Sequence, residues 1–541
     1  MIGSLKENLS NRFCAFCAIQ EGANSGKPEP AQFLGCSKKG RIMIMKYSST
    51  RNKALLVNSA DAIARGISEE GGLFVPSQIP QIDSAFIDSL VGRSYIERAG
   101  AVLSLYLTDF DKDEIRDSVA KAYGGGKFSD EKKAPVKHLY NNAYILELWH
   151  GPTCAFKDMA LQLLPHLLTL SVKKSVADKK VVILVATSGD TGKAALEGFK
   201  DVDGTQVLVF YPENGVSHMQ KLQMTTQEGR NVGVCAIEGN FDDAQNGVKA
   251  IFVNREIKRE LAEKGLMFSS ANSINWGRLV PQIVYYFSAY CDLIHDGRIK
   301  NGDKVNFVVP TGNFGNILAA YYAEEMGLPV NKLICASNKN NVLTDFMKTG
   351  TYNRNRPFYP TSSPSMDILI SSNLERLLFK LCGQDDQVLT GLMRQLSEKG
   401  EYTVSTDMKQ KLDQDFFGGY CDETGTKKTI GGVFKKTHYL CDTHTAVGVH
   451  VYDQYRAETG DETVTVIAST ASPYKFPESV LRAVDSSVSY TGEFEAVEVL
   501  SAKTGTEIPA QLRELKNKKI RFTNCCEKQN MKSEVYRLLS L

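Results

Sequence analysis

The sequence lacks several features that mark specialised classes of protein. It has no uninterrupted apolar run that approaches the roughly 18–20 residues of a membrane-spanning helix. It also lacks an excess of either charge, because 64 Lys and Arg residues stand against 62 Asp and Glu residues, a net charge of +2. We therefore expect no binding to nucleic acid, to an anionic membrane or to an acidic partner.

Cysteine is present without the dense spacing of a disulfide framework. The 541 residues include 12 scattered cysteines, which favours free thiols in a reducing compartment, and we expect a cytoplasmic protein. Cys14 and Cys17 form a lone CxxC pair with no second pair or neighbouring histidine, so we expect no metal site. Cys525 and Cys526 are expected to be packing residues rather than a redox pair.

The length of the chain predicts more than one domain. Residues 1–45 lack the apolar segment of a secretory signal and are predicted to be a poorly ordered extension. Residues 46–135 show amphipathic helical spacing and are predicted to form an α-rich N-terminal domain. Residues 136–541 should form the main region, with a smaller α/β subdomain inserted at about 187–300.

The main region alternates apolar runs with helical segments. Continuous Val, Ile and Leu runs between helices indicate parallel sheet covered on both faces, and hence an α/β fold. The predicted strands are 143–149, 181–186, 206–211, 232–238, 305–309, 332–337 and 463–468. The predicted helices are 157–171, 192–200, 217–229, 242–264, 276–295 and 315–327.

Lys157 stands where a predicted strand turns into a helix. Turn residues fill His150–Thr153, and apolar residues recur at helical spacing from Phe156 onwards. Ligands bind at this edge of open α/β sheets, and partial desolvation there lowers the pKa of a lysine and frees its amine for Schiff-base chemistry. The alternative is an ordinary solvated lysine, although a cation at a helix N-terminus is electrostatically unfavourable.

A second turn, at 187–192, also joins a buried strand to a helix and presents backbone N–H groups to an anion. It is not a nucleotide-binding P-loop. The pattern GxxxxGK[ST] requires Gly and then Ser or Thr at two positions where this chain has Thr187 and Ala194.

Two more strand ends complete a candidate site. The Gly-containing turn at Pro310–Asn316 opens a helix and suits a terminal phosphate without a metal ion. Ser469 and Thr470 place a pair of hydroxyl groups at the end of another strand. Each turn alone is weak evidence for a site, but together with a strand-end lysine they predict one.

Taken together, these motifs resemble those of the threonine synthase family. The matching segments are His150–Asp158 with the lysine, Ser188–Gly192, Asn272–Arg278, the phosphate loop Pro310–Gly315 and the closing segment Ser469–Phe476. The N-terminal signature of the family is similar to Tyr47–Arg51 and Glu70–Pro76. The resemblance spans roughly residues 46–500 and is closest to the longer branch of bacterial and fungal enzymes.

The resemblance implies a fold type II enzyme that uses pyridoxal 5'-phosphate (PLP). Two open α/β domains with parallel sheets would accompany the N-terminal domain, and residues 136–541 would be the catalytic region. The implied activity is that of a lyase, which converts O-phospho-L-homoserine and water to L-threonine and phosphate by γ-elimination and β-addition of water. The implied assembly is a monomer or homodimer, with a small-molecule substrate and no metal ion.

The same resemblance assigns roles to individual residues. Lys157 would hold PLP as a Schiff base and act as general base. Thr470 would hydrogen-bond the pyridine nitrogen, and Asp190 would lie near the cofactor oxygen. The cofactor phosphate would be bound by Gly312, Asn313, Phe314, Gly315 and Asn316. The substrate carboxylate would be bound by Thr187, Ser188 and Thr191, and its phosphate by Arg278 with Ser273 and Asn275.

Two residues depart from the family pattern. Thr443 replaces a proline and Ser472 replaces a histidine, changes that could alter side reactions or rate. The alternatives are a phosphohomoserine phospho-lyase that releases 2-oxobutyrate, a threonine dehydratase and a catalytically silent paralogue. The Asn272–Arg278 segment favours a phosphorylated substrate over that of a dehydratase.

Overall fold

The computed structural model describes residues 44–176, 179–187, 189–214 and 216–541. Nearly all of the predicted extension at 1–45, including the CxxC pair at Cys14 and Cys17, lies outside the described residues, and so does Ser188. The cysteines of the described part are free thiols. No helix within the described ranges combines the length and the apolar character that a bilayer crossing requires.

The first part of the described chain contains a small sheet as well as helices. Its strands are antiparallel in the order β2–β1–β3, with bounds β1 (Tyr47–Ser49), β2 (Asn52–Val57) and β3 (Phe74–Pro76). The helices are α1 (Ser59–Arg65), α2 (Ser84–Leu90), α3 (Tyr95–Tyr106) and α4 (Lys112–Tyr123). β1 and β3 have three residues each, too few to show a period of two. The sequence predicts only the helices here, and β2, with six residues, was missed as well.

The middle of the chain carries most strands of the two large sheets, and within each sheet all but the first of them run parallel to one another. They are β4 (Val136–Tyr140), β5 (Ala143–Glu147), β6 (Lys180–Ala186), β7 (Thr205–Pro212), β8 (Val232–Glu238), β9 (Leu266–Ser269), β10 (Val305–Pro310) and β11 (Val330–Ser337). The helices are α5 (Lys157–Leu161), α6 (Leu164–Ser175), α7 (Asp190–Phe199), α8 (His218–Thr225), α9 (Phe241–Val253), α10 (Arg255–Glu263), α11 (Trp276–His295) and α12 (Gly315–Met326). The predicted helices 157–171 and 242–264 are each two helices, and the second pair divides at Asn254, whose side chain caps α10.

The remainder is mostly helical. Its helices are α13 (Val342–Thr349), α14 (Leu374–Leu381), α15 (Asp386–Glu398), α16 (Thr406–Asp415), α17 (Glu423–Thr437), α18 (Thr443–Thr459), α19 (Pro477–Val484), α20 (Glu493–Thr504), α21 (Ala510–Arg513) and α22 (Met531–Leu539). Its strands are β12 (Thr351–Asn353), β13 (Glu401–Thr403), β14 (Phe416–Tyr420), β15 (Thr465–Ser469) and β16 (Cys525–Glu527).

Two large sheets position the candidate site. The larger has six strands in the order β14–β11–β10–β15–β5–β4, and only the edge strand β4 runs antiparallel to its neighbour. The smaller has five parallel strands in the order β16–β8–β7–β6–β9. Their central strands are buried apolar runs, which confirms the predicted α/β fold with parallel sheets. The domain boundaries stay predictions.

Candidate functional site

A tight turn carries the chain from β5 of the larger sheet to Lys157, the first residue of α5. Thr153 donates from its backbone N–H and its hydroxyl to the two carboxylate oxygens of Asp158, at 2.8 and 2.7 Å. A Cβ at Gly151 would lie 2.5 Å from the Cβ of Asp158, so glycine is needed there. Burial raises the pKa of Asp158 to about 6. The residues on either side of Lys157 therefore hold it in a fixed turn.

Lys157 is buried, and its side chain is only 10% exposed. Its Nζ lies 3.1 Å from Ser365 Oγ and 3.5 Å from Asp190 Oδ2. Burial lowers the pKa of Lys157, and the cations of Lys475 and Arg278 lower it further, while Asp190 acts in the opposite direction. The alternative of an ordinary solvated lysine is therefore wrong.

Asp190 begins α7 at the carboxyl end of β6, so the smaller sheet also contributes to the site. Its Oδ1 accepts a hydrogen bond from Lys475 Nζ at 2.7 Å, and Lys475 also donates to the carbonyl oxygen of Thr153 at 3.1 Å. Although burial alone would raise the pKa of Asp190, the ammonium groups of Lys475 and Lys157 hold it well below its usual range.

The predicted phosphate loop leads from β10 into α12. Phe314 takes a left-handed conformation with φ of 65°, and no side chain of the described residues caps the first turn of α12. Asn316 Oδ1 accepts hydrogen bonds from the hydroxyls of Tyr285 and Tyr286, but its Nδ2 is buried without a partner in the described structure. An uncapped helix N-terminus beside an unpaired amide donor suits an anionic group such as a phosphate.

The glycines of this loop allow close packing on both sides. A Cβ at Gly312 would lie 2.6 Å from the carbonyl oxygen of Ser365, and one at Gly315 would lie 3.4 Å from Asn373 Nδ2. Asn373 also donates from its side chain to the carbonyl of Asn313 at 3.0 Å. The loop is therefore fixed against the segment that brings Ser365 to Lys157.

Thr470 directly follows β15 and is buried. Its carbonyl oxygen accepts a hydrogen bond from the backbone N–H of Phe156 at 2.8 Å, which places it beside the Lys157 turn. Within the described ranges its hydroxyl has no protein partner, so the hydroxyl is available to a ligand.

Arg278 is a buried cation, 4% exposed, without a carboxylate partner in the described part of the chain. Its Nη1 donates to the carbonyl oxygen of Ala271 at 2.8 Å, whereas its Nε has no partner there. Burial lowers its pKa to about 10. An uncompensated buried guanidinium is costly to the protein, and an anionic ligand would remove that cost.

The other predicted substrate residues differ in how many of their side-chain polar groups are already hydrogen-bonded within the protein. Asn275 caps α11, with Oδ1 accepting from Gly277 N–H and Nδ2 donating to two backbone carbonyls. Thr187 Oγ1 accepts from the N–H groups of Gly189 and Gly192 at 2.9 and 3.0 Å, and so supports its own turn. Thr191 and Ser273 are half-buried.

Sequence reasoning gave no role to Lys475, Ser365 or His444. His444 Nε2 accepts the backbone N–H of Ser365 at 3.2 Å, and its Nδ1 lies 2.7 Å from Asp442 Oδ2, so this pair fixes the segment that carries Ser365. Lys475 lies within the closing segment Ser469–Phe476, so the motif pointed to its neighbourhood but not to Lys475 itself. No motif surrounds Ser365, so nothing local could have identified it.

The two residues that depart from the family pattern make local contacts. Thr443 Oγ1 donates to the carbonyl oxygen of Ser362 at 2.7 Å. Ser472 Oγ accepts from the backbone N–H of Tyr474 at 3.3 Å and begins the short helical turn that carries Lys475. Both are buried, and the polar partners of Lys157 Nζ among the described residues are Ser365 and Asp190 instead.

Three family models match successive parts of the chain. Residues 46–123 match "Threonine synthase N terminus", residues 131–470 match "Pyridoxal-phosphate dependent enzyme", and residues 445–535 match "Threonine synthase, C-terminal". The second match covers the Lys157 turn, the α12 loop and Thr470.

Individual relatives agree with these matches. The chain is 40% identical to threonine synthase of Pseudomonas aeruginosa over 81% of its own length and 90% of that protein. It is 43% identical to threonine synthase-like 1 of Macaca fascicularis over 79% of its length, but it spans only 58% of that protein. The crystal structure of PLP-bound threonine synthase from Brucella melitensis superposes with a TM-score of 0.81 at 37% identity, covering 92% of this chain and 99% of the other.

Proposed function

Since the chain belongs to the threonine synthase family of pyridoxal-phosphate-dependent enzymes, we propose that it converts O-phospho-L-homoserine and water to L-threonine and phosphate. The observation that carries the proposal is a buried lysine amine that shares a site with a buried arginine, which has no carboxylate partner among the described residues. The amine suits PLP chemistry, and the guanidinium suits a second phosphate besides that of the cofactor. We further propose that the protein acts as a monomer or homodimer in the cytoplasm.

The residues of the site fit PLP. Lys157 would bind the aldehyde of the cofactor, and the loop 312–316 would bind its phosphate at the uncapped end of α12. Thr470 would donate to the ring nitrogen, and Asp190 would lie near the ring oxygen. When bound, the cofactor supplies an aldehyde that reacts with amines and a ring that withdraws electrons from the substrate.

The chain's own groups then bind the substrate and move a proton. Burial lowers the pKa of Lys157 and so favours a free amine, which can act as general base at the substrate Cα. Arg278 would bind the substrate phosphate, on a segment that Asn275 caps and near Ser273. The turn of Thr187, Ser188 and Thr191 would bind the substrate carboxylate.

Borohydride reduction tests the cofactor site directly. Purified protein should be yellow, and reduction should fix the cofactor to Lys157, as read by peptide mass spectrometry. Lys157→Ala should remove both the colour and the label. Lys475→Arg is the matched control, because it changes the other buried lysine of the site, and its label should stay on Lys157. Label on any other lysine would reject the proposed site.

Product analysis tests the reaction. Incubation with O-phospho-L-homoserine should release phosphate and threonine in equal amounts. Phosphate with 2-oxobutyrate in place of threonine would instead identify the phospho-lyase, and conversion of threonine itself would identify a dehydratase. Bound cofactor without turnover of either substrate would favour the silent paralogue, an alternative that the similarity to threonine synthase-like 1 keeps relevant.

A further inference from the structure

The site contains two lysines that share one carboxylate. Lys475 Nζ lies 2.7 Å from Asp190 Oδ1, and Lys157 Nζ lies 3.5 Å from Asp190 Oδ2. Lys475, Lys157 and Asp190 are all buried. The contact of Lys475 is a charge-assisted hydrogen bond, whereas that of Lys157 is longer than such bonds usually are.

We propose that Lys475 is a positioning residue that occupies the carboxylate of Asp190 and thereby keeps Asp190 from holding Lys157 as a tightly paired ammonium. The inference rests on the proposed role of Lys157, which requires a free amine. Lys475 has no such requirement, so it can remain a permanent counter-ion.

The surroundings of Lys475 support this division of roles. Lys475 also donates to the carbonyl oxygen of Thr153, in the turn that precedes Lys157, and it ends a short helical turn begun by Ser472. Two oxygens on separate segments therefore hold its ammonium group in place. Lys157 instead contacts the hydroxyl of Ser365, which can donate or accept and so is compatible with a charged or a neutral amine.

Electrostatics makes the consequence specific. Without Lys475, the buried Asp190 would keep Lys157 as its one ion-pair partner among the described residues, and the pair would stabilise the ammonium form of Lys157. With Lys475 present, the carboxylate is neutralised and a second positive charge disfavours protonation of Lys157. The other titratable and charged groups that face this cluster are Cys154, Asp158, Arg278 and His444.

The test measures the protonation of Lys157 in the full chain after hydroxylamine has removed the bound cofactor, so that the Lys157 amine is free. Cyanate carbamylates free amines only, so the extent of Lys157 labelling against pH, read by mass spectrometry, gives a midpoint. Lys475→Met should raise that midpoint by about one to two pH units, since a like charge is lost and an opposite one is released. Lys475→Arg should stay near the unmodified chain, and the exposed Lys427 is an internal reference in the same digest.

A second variant keeps the test decisive if Lys475→Met does not fold. Asp190→Asn should lower the Lys157 midpoint, because it removes the carboxylate that lies 3.5 Å from the amine. An unchanged or lower midpoint in folded Lys475→Met, or an unchanged or higher one in Asp190→Asn, would overturn the proposal. These measurements need no turnover, so they remain valid if the proposed reaction fails. In an active enzyme, where the Lys157 amine is free only once substrate is bound, the acid limb of kcat should shift to higher pH with Lys475→Met.

Discussion

Arg278 offers the sharpest test at the scale of single residues. Its guanidinium is buried, keeps Nε unpaired and has no carboxylate beside it among the described residues. Hydrogen bonds to charged groups contribute about 1.5–3 kcal/mol. We therefore expect Arg278→Gln to weaken competitive inhibition by inorganic phosphate by about tenfold or more, with a matching rise in KM for the phosphorylated substrate.

Arg98 provides the matched control. It is equally buried, but its Nη1 is paired with Asp292 Oδ1 at 2.7 Å. Arg98→Gln should lower the free energy of unfolding by about 3–5 kcal/mol, because it leaves the buried Asp292 with only a 3.8 Å contact to the exposed Lys132, and should leave phosphate inhibition unchanged. Equal effects of the two variants on inhibition would show that Arg278 supports the fold and does not bind the anion.

The contrast between Lys157 and Lys475 shows which residues a sequence can identify. Lys157 lies within a local pattern of strand, turn and helix, and Thr153 and Asp158 that fix it are close neighbours in the chain. The role of Lys475 depends on its contact with Asp190, which follows a strand of the smaller sheet. Spacing along the chain carries no information about which distant charges meet, so the pair becomes visible only in the fold.

Among the helices and strands, the predicted bounds agree with the structure where a buried element has a long run of apolar residues. The bounds of β8 and α11 agree with the predicted 232–238 and 276–295, because both are long runs of apolar residues. The strands β9 and β16 were not predicted. They have four and three residues, too few to show a period, and their pairing with neighbouring strands is what makes them strands.

Glu324 near the end of α12 makes the stability of this element depend on pH. Burial, together with Asp415 and Glu325, raises the pKa of Glu324 to about 8 against the smaller effects of Lys304 and Lys332. The unfolded chain releases this proton near the ordinary pKa of 4.5, whereas the folded state keeps it up to a pH of about 8. Stability is therefore lost as the pH rises from about 4.5 towards 8.

Glu324→Gln should remove this loss, since the amide has the shape of the protonated acid and no charge. Above about pH 8 the variant should be more stable than the unmodified chain by on the order of 1–3 kcal/mol, and the difference should vanish near pH 5. Urea unfolding at both pH values measures it. Glu398→Gln, on the exposed end of α15, is the control. A Glu324→Gln variant with the same pH dependence as the unmodified chain would contradict the assignment.

At the scale of the whole molecule, the site combines strand ends from both large sheets. The larger sheet supplies the Lys157 turn after β5, the loop after β10 and Thr470 after β15. The smaller sheet supplies Asp190 after β6. Parallel strands bring their carboxyl ends to one edge, which is how residues distant in the chain come to surround one amine. The contact between Asp190 and Lys475 links the residue after β6 of the smaller sheet to the segment that follows β15 of the larger sheet.

The C-terminal helix α22 should therefore influence the site from a distance. Met531 on α22 is 1% exposed and packs in the hydrophobic cluster of the smaller sheet, which includes Val182 and Leu208. Met531→Ala should lower the free energy of unfolding by about 2–4 kcal/mol. Because Met531 packs on the smaller sheet, which carries Asp190, amide hydrogen exchange should become faster than in the unmodified chain. The increase should be larger in β6–β8 than in β10 and β15.

Ser533→Ala, at an exposed position of the same helix, should change neither stability nor exchange. Faster exchange in both sheets of Met531→Ala alike would mean that the molecule opens as one unit. Faster exchange confined to the smaller sheet would mean that the Asp190 side of the site can loosen while the Lys157 side stays folded. In that case cofactor retention should fall less than affinity for the substrate, because the loop 312–316 and Thr470 belong to the larger sheet.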